Sequence, residues 1–178
     1  MKLEPADIII TKDKKSLFSR AILKVLRWMQ DDKVRYQHAM LVVDNNTCIE
    51  ALWKIKYNDP RERFKDFERY KIIRCKLLTD DLKQAVVDKA KTRAGFSYGY
   101  KRLIAQLLDQ IFKTDWFTGG IKSEDEQICS SLAAWAYQKK TGLKFNKIDW
   151  KSCEPDDIDD ASILHPTVWT TILEYGVD

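Results

Sequence analysis

The 178-residue sequence is poor in the residues that break chains into loops and hold metals: six glycines, four prolines, two histidines and four cysteines. With so little glycine and proline there is no low-complexity linker, and no internal repeat is visible. The cysteines at 48, 75, 129 and 153 form no CxxC pair, and His38 and His165 lie far apart. That spacing excludes a zinc-ligand pattern, so neither a metal nor a cofactor is expected. After Met1, "KLEPADIII" lacks the apolar h-region and small-residue cleavage site of a signal peptide. No segment reaches the roughly 18 apolar residues of a membrane span. Together these absences predict a cytoplasmic protein with reduced thiols. A net charge of +4 without a dense basic stripe argues against a nucleic-acid partner.

What is present fits one domain over residues 1–178, long enough to bury a core without staples. Apolar residues make up 44% and charged ones 33%, ordinary values for a globular chain. Six tryptophans point to a well-anchored core or an aromatic-lined cleft. The acids concentrate at 149–160, "DWKSCEPDDIDD", which reads as a solvated acidic loop.

The β-branched run "ADIIIT" (6–11) predicts a strand, and apolar residues at helical spacing predict a helix over 16–29. That helix carries Arg20, Lys24 and Arg27 on its other face; it packs on a sheet or makes weak contact with an anionic membrane surface. "YQHAMLVVDNNTCIEALW" (36–53) reads as two strands joined at 44–46, the first apolar on both faces and therefore central. A further strand is expected over 69–77. A helix follows over 79–95, with Thr79 as N-cap and Gly95 as stop. Another covers 100–113, and a third, ended by Gly142, carries "QICSSLAAWAY". The tail suggests a short helix and a strand. With the sheet mainly in the first half and the helices in the second, the layout is α+β.

A cysteine nucleophile needs a nearby base and a group to orient it. Cys129 falls near a helix start, where the macrodipole favours a thiolate, although "SEDE" (123–126) resembles a capping box that would place it in the second turn. His165 precedes Pro166 and reads as a loop residue. His38 opens a central strand, where it is either a satisfied core histidine or a functional one. Glu50 is the only carboxylate of the second strand. A three-residue loop (44–46) puts Val43 opposite Thr47, Met40 opposite Glu50 and His38 opposite Leu52. Glu50 and His38 then become diagonal neighbours on one face; a two-residue loop separates them. A buried glutamate needs a partner, either His38 or a surface lysine such as Lys54.

In order, "PADIIIT", "YQHAMLVVDNNTCIEAL", "RYKIIRCKLLTDDLKQAVVDKA", "FSYGYKRL", "ICSSLAAWAYQKKTGLKF" and "EPDDIDDA" resemble the NlpC superfamily of papain-like cysteine peptidases. They are most similar to its circularly permuted YiiX-like branch, with lecithin:retinol acyltransferases more distant. The resemblance implies a permuted papain-like fold in which an antiparallel sheet packs against the cysteine-bearing helix. It makes Cys129 the nucleophile, His38 the general base and Glu50 the third polar residue. It places Tyr98 and Tyr100 along the cleft, with Tyr36 beside the histidine as a further substrate-binding residue; core aromatics are the alternative. The family has a glycine before its first-strand aspartate, and here Ala6 precedes Asp7, so that turn is expected to differ. The implied activity is cleavage of a peptide or isopeptide amide, such as one from peptidoglycan, through an acyl-thioester. An acyl-lipid substrate (acyltransferase or phospholipase chemistry) and a non-catalytic binding module are the alternatives.

Overall fold

A computed structural model describes residues 2–13, 35–51, 54–96, 112, 114, 116 and 129–176. Six antiparallel strands form one sheet: β1 (Ile8–Asp13), β2 (His38–Asp44), β3 (Thr47–Ala51), β4 (Ile55–Asn58), β5 (Phe67–Cys75) and β6 (Trp169–Tyr175). Their spatial order is β4-β3-β2-β1-β5-β6. Among the described residues, four α-helices accompany them: the one-turn α1 (Pro60–Arg63), α2 (Asp80–Lys91), α3 (Cys129–Thr141) and α4 (Pro155–Leu164). The architecture is α+β, as the sequence predicts. The amphipathic segment 16–29, nearly all of 100–113 and the "SEDE" box lie outside the described residues.

The strands bury both faces. Ile8, Ile10, Ala39, Leu41, Ile49 and Ile73 pack against α2, α3 and α4. The alternate residues Ile9, Met40, Val42, Cys48 and Ile72 form a second cluster with Leu3 and Phe67. This two-sided burial accounts for the unbroken apolar run of β2, which lies with β1 at the centre of the sheet. Helix α3 is buried on every side from Cys129 through Tyr137, so it shows no amphipathic stripe. Lys89 of α2 and Arg93 of the turn after it lie over the Trp135 ring, with the charged groups 4.5 and 4.6 Å from its centroid. Among the described residues no helix is long and apolar enough to cross a membrane.

Helix punctuation follows the sequence where caps are local. Thr79 accepts from the Leu82 N–H, and Gly142 takes φ 74° after α3. Helix α2 ends earlier than expected, at Lys91, and a turn runs on to Gly95 at φ 86°. The acidic run is not a loop. Pro155 opens α4, Glu154 and Asp157 form a capping box, and Ile158 and Ala161 turn inward. Asp159 is buried because Lys71 (2.6 Å) and Arg35 (2.8 Å) neutralise it.

The β2–β3 connection also departs from expectation. Only Asn45 and Asn46 form the turn, and Asp44 faces Thr47. Met40 nevertheless faces Glu50, because a bulge at Val43 inserts the extra residue that a longer loop would have supplied. The Asp44 carboxylate fastens the turn by accepting from the Asn46 N–H, and neither asparagine needs positive φ.

Candidate active site

His38 is the first residue of β2, and the chain leading into it is pinned from two sides. Asp156, in the first turn of α4, accepts from the backbone N–H groups of Arg35 (3.0 Å) and Tyr36 (2.8 Å). The Gln37 N–H donates to the Thr11 carbonyl of β1 at 2.8 Å. The side chain of His38 is 13% exposed. Its Nε2 lies 2.5 Å from Glu50 Oε2, which leaves Nδ1 for a second partner. Cys129 stands beside the ring, close enough that each side chain shifts the charge of the other.

The register that the bulge at Val43 preserves brings Glu50 to His38. Glu50 is fully buried, and its charge is met three times over: by the His38 ring, by Arg63 Nη1 at 2.9 and 3.0 Å from its two oxygens, and by the Asn58 side-chain amide. Burial alone would raise its pKa. The hydrogen bond and charge of His38, then Arg63 and Asn58, hold it instead at about 2. His38 is thus Glu50's partner, joined by an arginine from α1 where the sequence offered Lys54 as the alternative.

Cys129 begins the described part of α3. Burial would hold its thiol protonated, but the His38 charge and hydrogen bond, with the backbone N–H groups of Ala39 and Ser130, lower its pKa. The sulfur also lies 4.0 Å from the Gln37 carbonyl. Burial opposes a charge on His38, yet Cys129 and then Glu50 raise its pKa to about 10. Both shifts point the same way: the site favours the proton on the imidazole over the sulfur. Burial pushes the other thiols the opposite way, Cys48 to about 12 and Cys75 and Cys153 upward.

Of the expected cleft aromatics, Tyr98 and Tyr100 lie outside the described residues. Tyr36 requires correction: it is 1% exposed and its hydroxyl donates to Glu174, so it is a core residue beneath the histidine segment. With its ring buried in the core, it has no surface to offer a ligand. His165 is the C-cap of α4. Asn58 and Arg63 were not anticipated. Their only trace in the sequence is the rule that a buried glutamate must be paired, which gives no address for the partner.

Ala6 also answers an expectation. Its φ is 68°, the left-handed conformation that favours glycine, adopted here with a side chain. Asp7 secures it, accepting from the Glu4 N–H and from the Arg74 guanidinium.

No family model matches the sequence, and no curated protein matches it. Among solved structures, the chain is similar to one described as the metalloprotein YiiX of Escherichia coli O157:H7, DUF1105. The two share 17% identity and superpose with a TM-score of 0.65 over 98% of this chain and 99% of that one. The metal belongs to that protein's description. Here Cys129 and His38 offer two donors, while Glu50 is taken up by Arg63, Asn58 and His38, and no group of three or more His, Cys, Asp or Glu assembles among the described residues. These residues do not fit a metal site. What the two proteins share is the fold, along nearly the whole of both chains.

Proposed function

We propose that this chain is a cysteine hydrolase of the permuted papain-like type, cleaving an amide bond in a peptide or isopeptide through an acyl-thioester. The observation that carries the reading is the convergence of Cys129, His38 and Glu50 from three different elements, with Glu50 holding the ring that stands beside the thiol. Cys129 is the nucleophile. Its proton passes to His38, and the sulfur attacks the substrate carbonyl. The tetrahedral oxyanion takes the backbone N–H of Cys129 as one donor. On collapse, His38 returns the proton to the leaving amine. A water molecule, deprotonated by the same ring, then hydrolyses the thioester and frees the sulfur. Glu50 fixes the ring's orientation and supports its positive charge, as the third member of such a triad does.

The acyl-lipid alternative rested on segment 16–29, outside the described residues, and no described feature favours it. The test is alkylation by iodoacetamide at pH 6, followed peptide by peptide. Cys129 is 8% exposed and has its pKa lowered, whereas Cys48 and Cys153 are wholly buried and Cys75 is 3% exposed, with raised pKa values. Cys129 is expected to label at least about tenfold faster than the others, since the thiolate is the reacting form. Slow, uniform labelling of all four would remove the basis for a nucleophile.

A further inference from the structure

The row of charged groups does not stop at Glu50. Arg63 closes the one-turn helix α1, which links β4 to β5 and is set by Pro60 at its start and by Asp59, whose carboxylate caps the Arg61 N–H at 2.8 Å. From there Arg63 Nη1 reaches both oxygens of Glu50, and its Nη2 lies 4.0 Å from Asp13 Oδ1. The guanidinium also lies over the Phe67 ring, 5.3 Å from its centroid. Asp13 is turned toward it by a second bulge, where the β1–β5 register shifts between Lys12 and Asp13.

We propose that Arg63 is a positioning residue for the Cys129–His38 pair, holding the Glu50 carboxylate against the ring and supplying the cation that makes the buried row electroneutral. The inference rests on the hydrolase reading of that pair. Thiolate, imidazolium, carboxylate and guanidinium alternate in sign and their four charges cancel, with the partly exposed Asp13 carboxylate a further anion at the outer end of the row. Without the guanidinium the same row carries a net negative charge in a site with little water. Burial of an unbalanced charge is relieved by taking up a proton, and the thiolate is the group that accepts it. The Asn58 amide, which shares Glu50 Oε1 with Arg63, is neutral and does not substitute for the charge. The remaining titratable groups beside the thiol, Cys153 with Glu154 and Asp157 at the start of α4, are the same in every variant below.

The experiment measures iodoacetamide labelling of Cys129 against pH in the full chain, with circular dichroism confirming the fold. In Arg63→Met the midpoint of labelling rises by about one pH unit or more, roughly tenfold less thiolate below it. Arg63→Lys brings the midpoint back toward wild type, because the charge returns. Its plateau rate stays lower, because one ammonium cannot present separate nitrogens to Glu50 and Asp13 as the planar guanidinium does. Asp13→Asn lowers the midpoint, since Arg63 then answers to Glu50 alone, and this variant decides the matter should Arg63→Met fail to fold. An unchanged midpoint in Arg63→Met, equal rises in Met and Lys variants, or a rise in Asp13→Asn overturns the proposal. Wild-type Cys129 labelling no faster than Cys48, Cys75 and Cys153 is a different result: it removes the hydrolase reading and this inference with it.

Discussion

At the scale of single residues, Ala6 and Glu50 each occupy a place that disfavours them. Ala6 at φ 68° bears the left-handed strain of an L-residue, about 1–2 kcal/mol. Its N–H donates to the Val42 carbonyl and its own carbonyl accepts from the Tyr137 hydroxyl at 2.5 Å, so the surrounding structure dictates the conformation. Ala6→Gly relieves the strain while giving up a buried methyl worth about 0.8 kcal/mol and some chain entropy. The net change is expected to stay within about 0.5 kcal/mol by urea denaturation. Ala90→Gly, equally buried but in α2, is expected to lose about 1.5 kcal/mol or more from the same two costs without the relief. Equal losses at the two sites would show that Ala6 is not strained. Glu50 is the opposite case, expensive to bury alone and tolerable only because His38, Arg63 and Asn58 meet it. The sequence reveals Cys129, His38 and Glu50 because each stands out in an apolar stretch. Asn58 and Arg63 stand in a polar stretch, "KYNDPRERFK", where nothing separates a partner from a solvated neighbour.

At the scale of elements, the site depends on register, and the bulge at Val43 is how a two-residue turn preserves it. Deleting Val43 removes the bulge without changing the pairing on either side: Asp44 still faces Thr47, Val42 faces Cys48 and Met40 faces Glu50, so His38 stays on the Glu50 face. The deletion variant is expected to keep its far-ultraviolet circular dichroism and the selective labelling of Cys129. Lost selectivity would mean that the local bend of the bulge, and not the register, sets the His38–Glu50 contact. The same hairpin shows how much of the fold can be read from residue types. The expected register at Glu50 holds, while its cause is a bulge, because counting residues between strands cannot tell a three-residue loop from a two-residue turn plus an insertion. Strands β1, β2, β3 and β5, helix α2 and the cap at Gly142 follow local patterns and are legible. Strand β4 and α1 are short and charged, and α4 looks like a solvated acidic loop until Lys71 and Arg35 are seen opposite Asp159.

At the scale of the whole molecule, the buried charges must show in the pH dependence of folding, and the signs can be worked out group by group. Glu50 has its pKa lowered from 4.5 to about 2, so the stability it contributes is complete above 4.5 and is lost as pH falls through about 2. His38 is raised from 6.5 to about 10; its contribution is complete below 6.5 and drains away as pH rises toward 10. Cys129, lowered from 9.0, runs the other way and gains as pH rises toward 9. Between about 6.5 and 9 the last two oppose each other, because a thiolate–imidazolium pair holds the same number of protons as a neutral thiol and a neutral ring in the unfolded chain. Wild-type stability from this site is therefore level across that window. Cys129→Ala removes the rising member and leaves the falling one, with His38 still raised by Glu50. Urea midpoints taken at pH 6.5, 7.5 and 8.5 should stay parallel to the wild type's general trend for no variant that lacks the thiol: Cys129→Ala should fall progressively below wild type as pH rises. Below pH 4.5 both proteins lose the Glu50 contribution alike, so their acid limbs run parallel and serve as the internal control. Curves that also run parallel from pH 6.5 to 8.5 would mean that Cys129 is an ordinary protonated thiol, and the ion pair at the centre of the proposed mechanism would be lost with it.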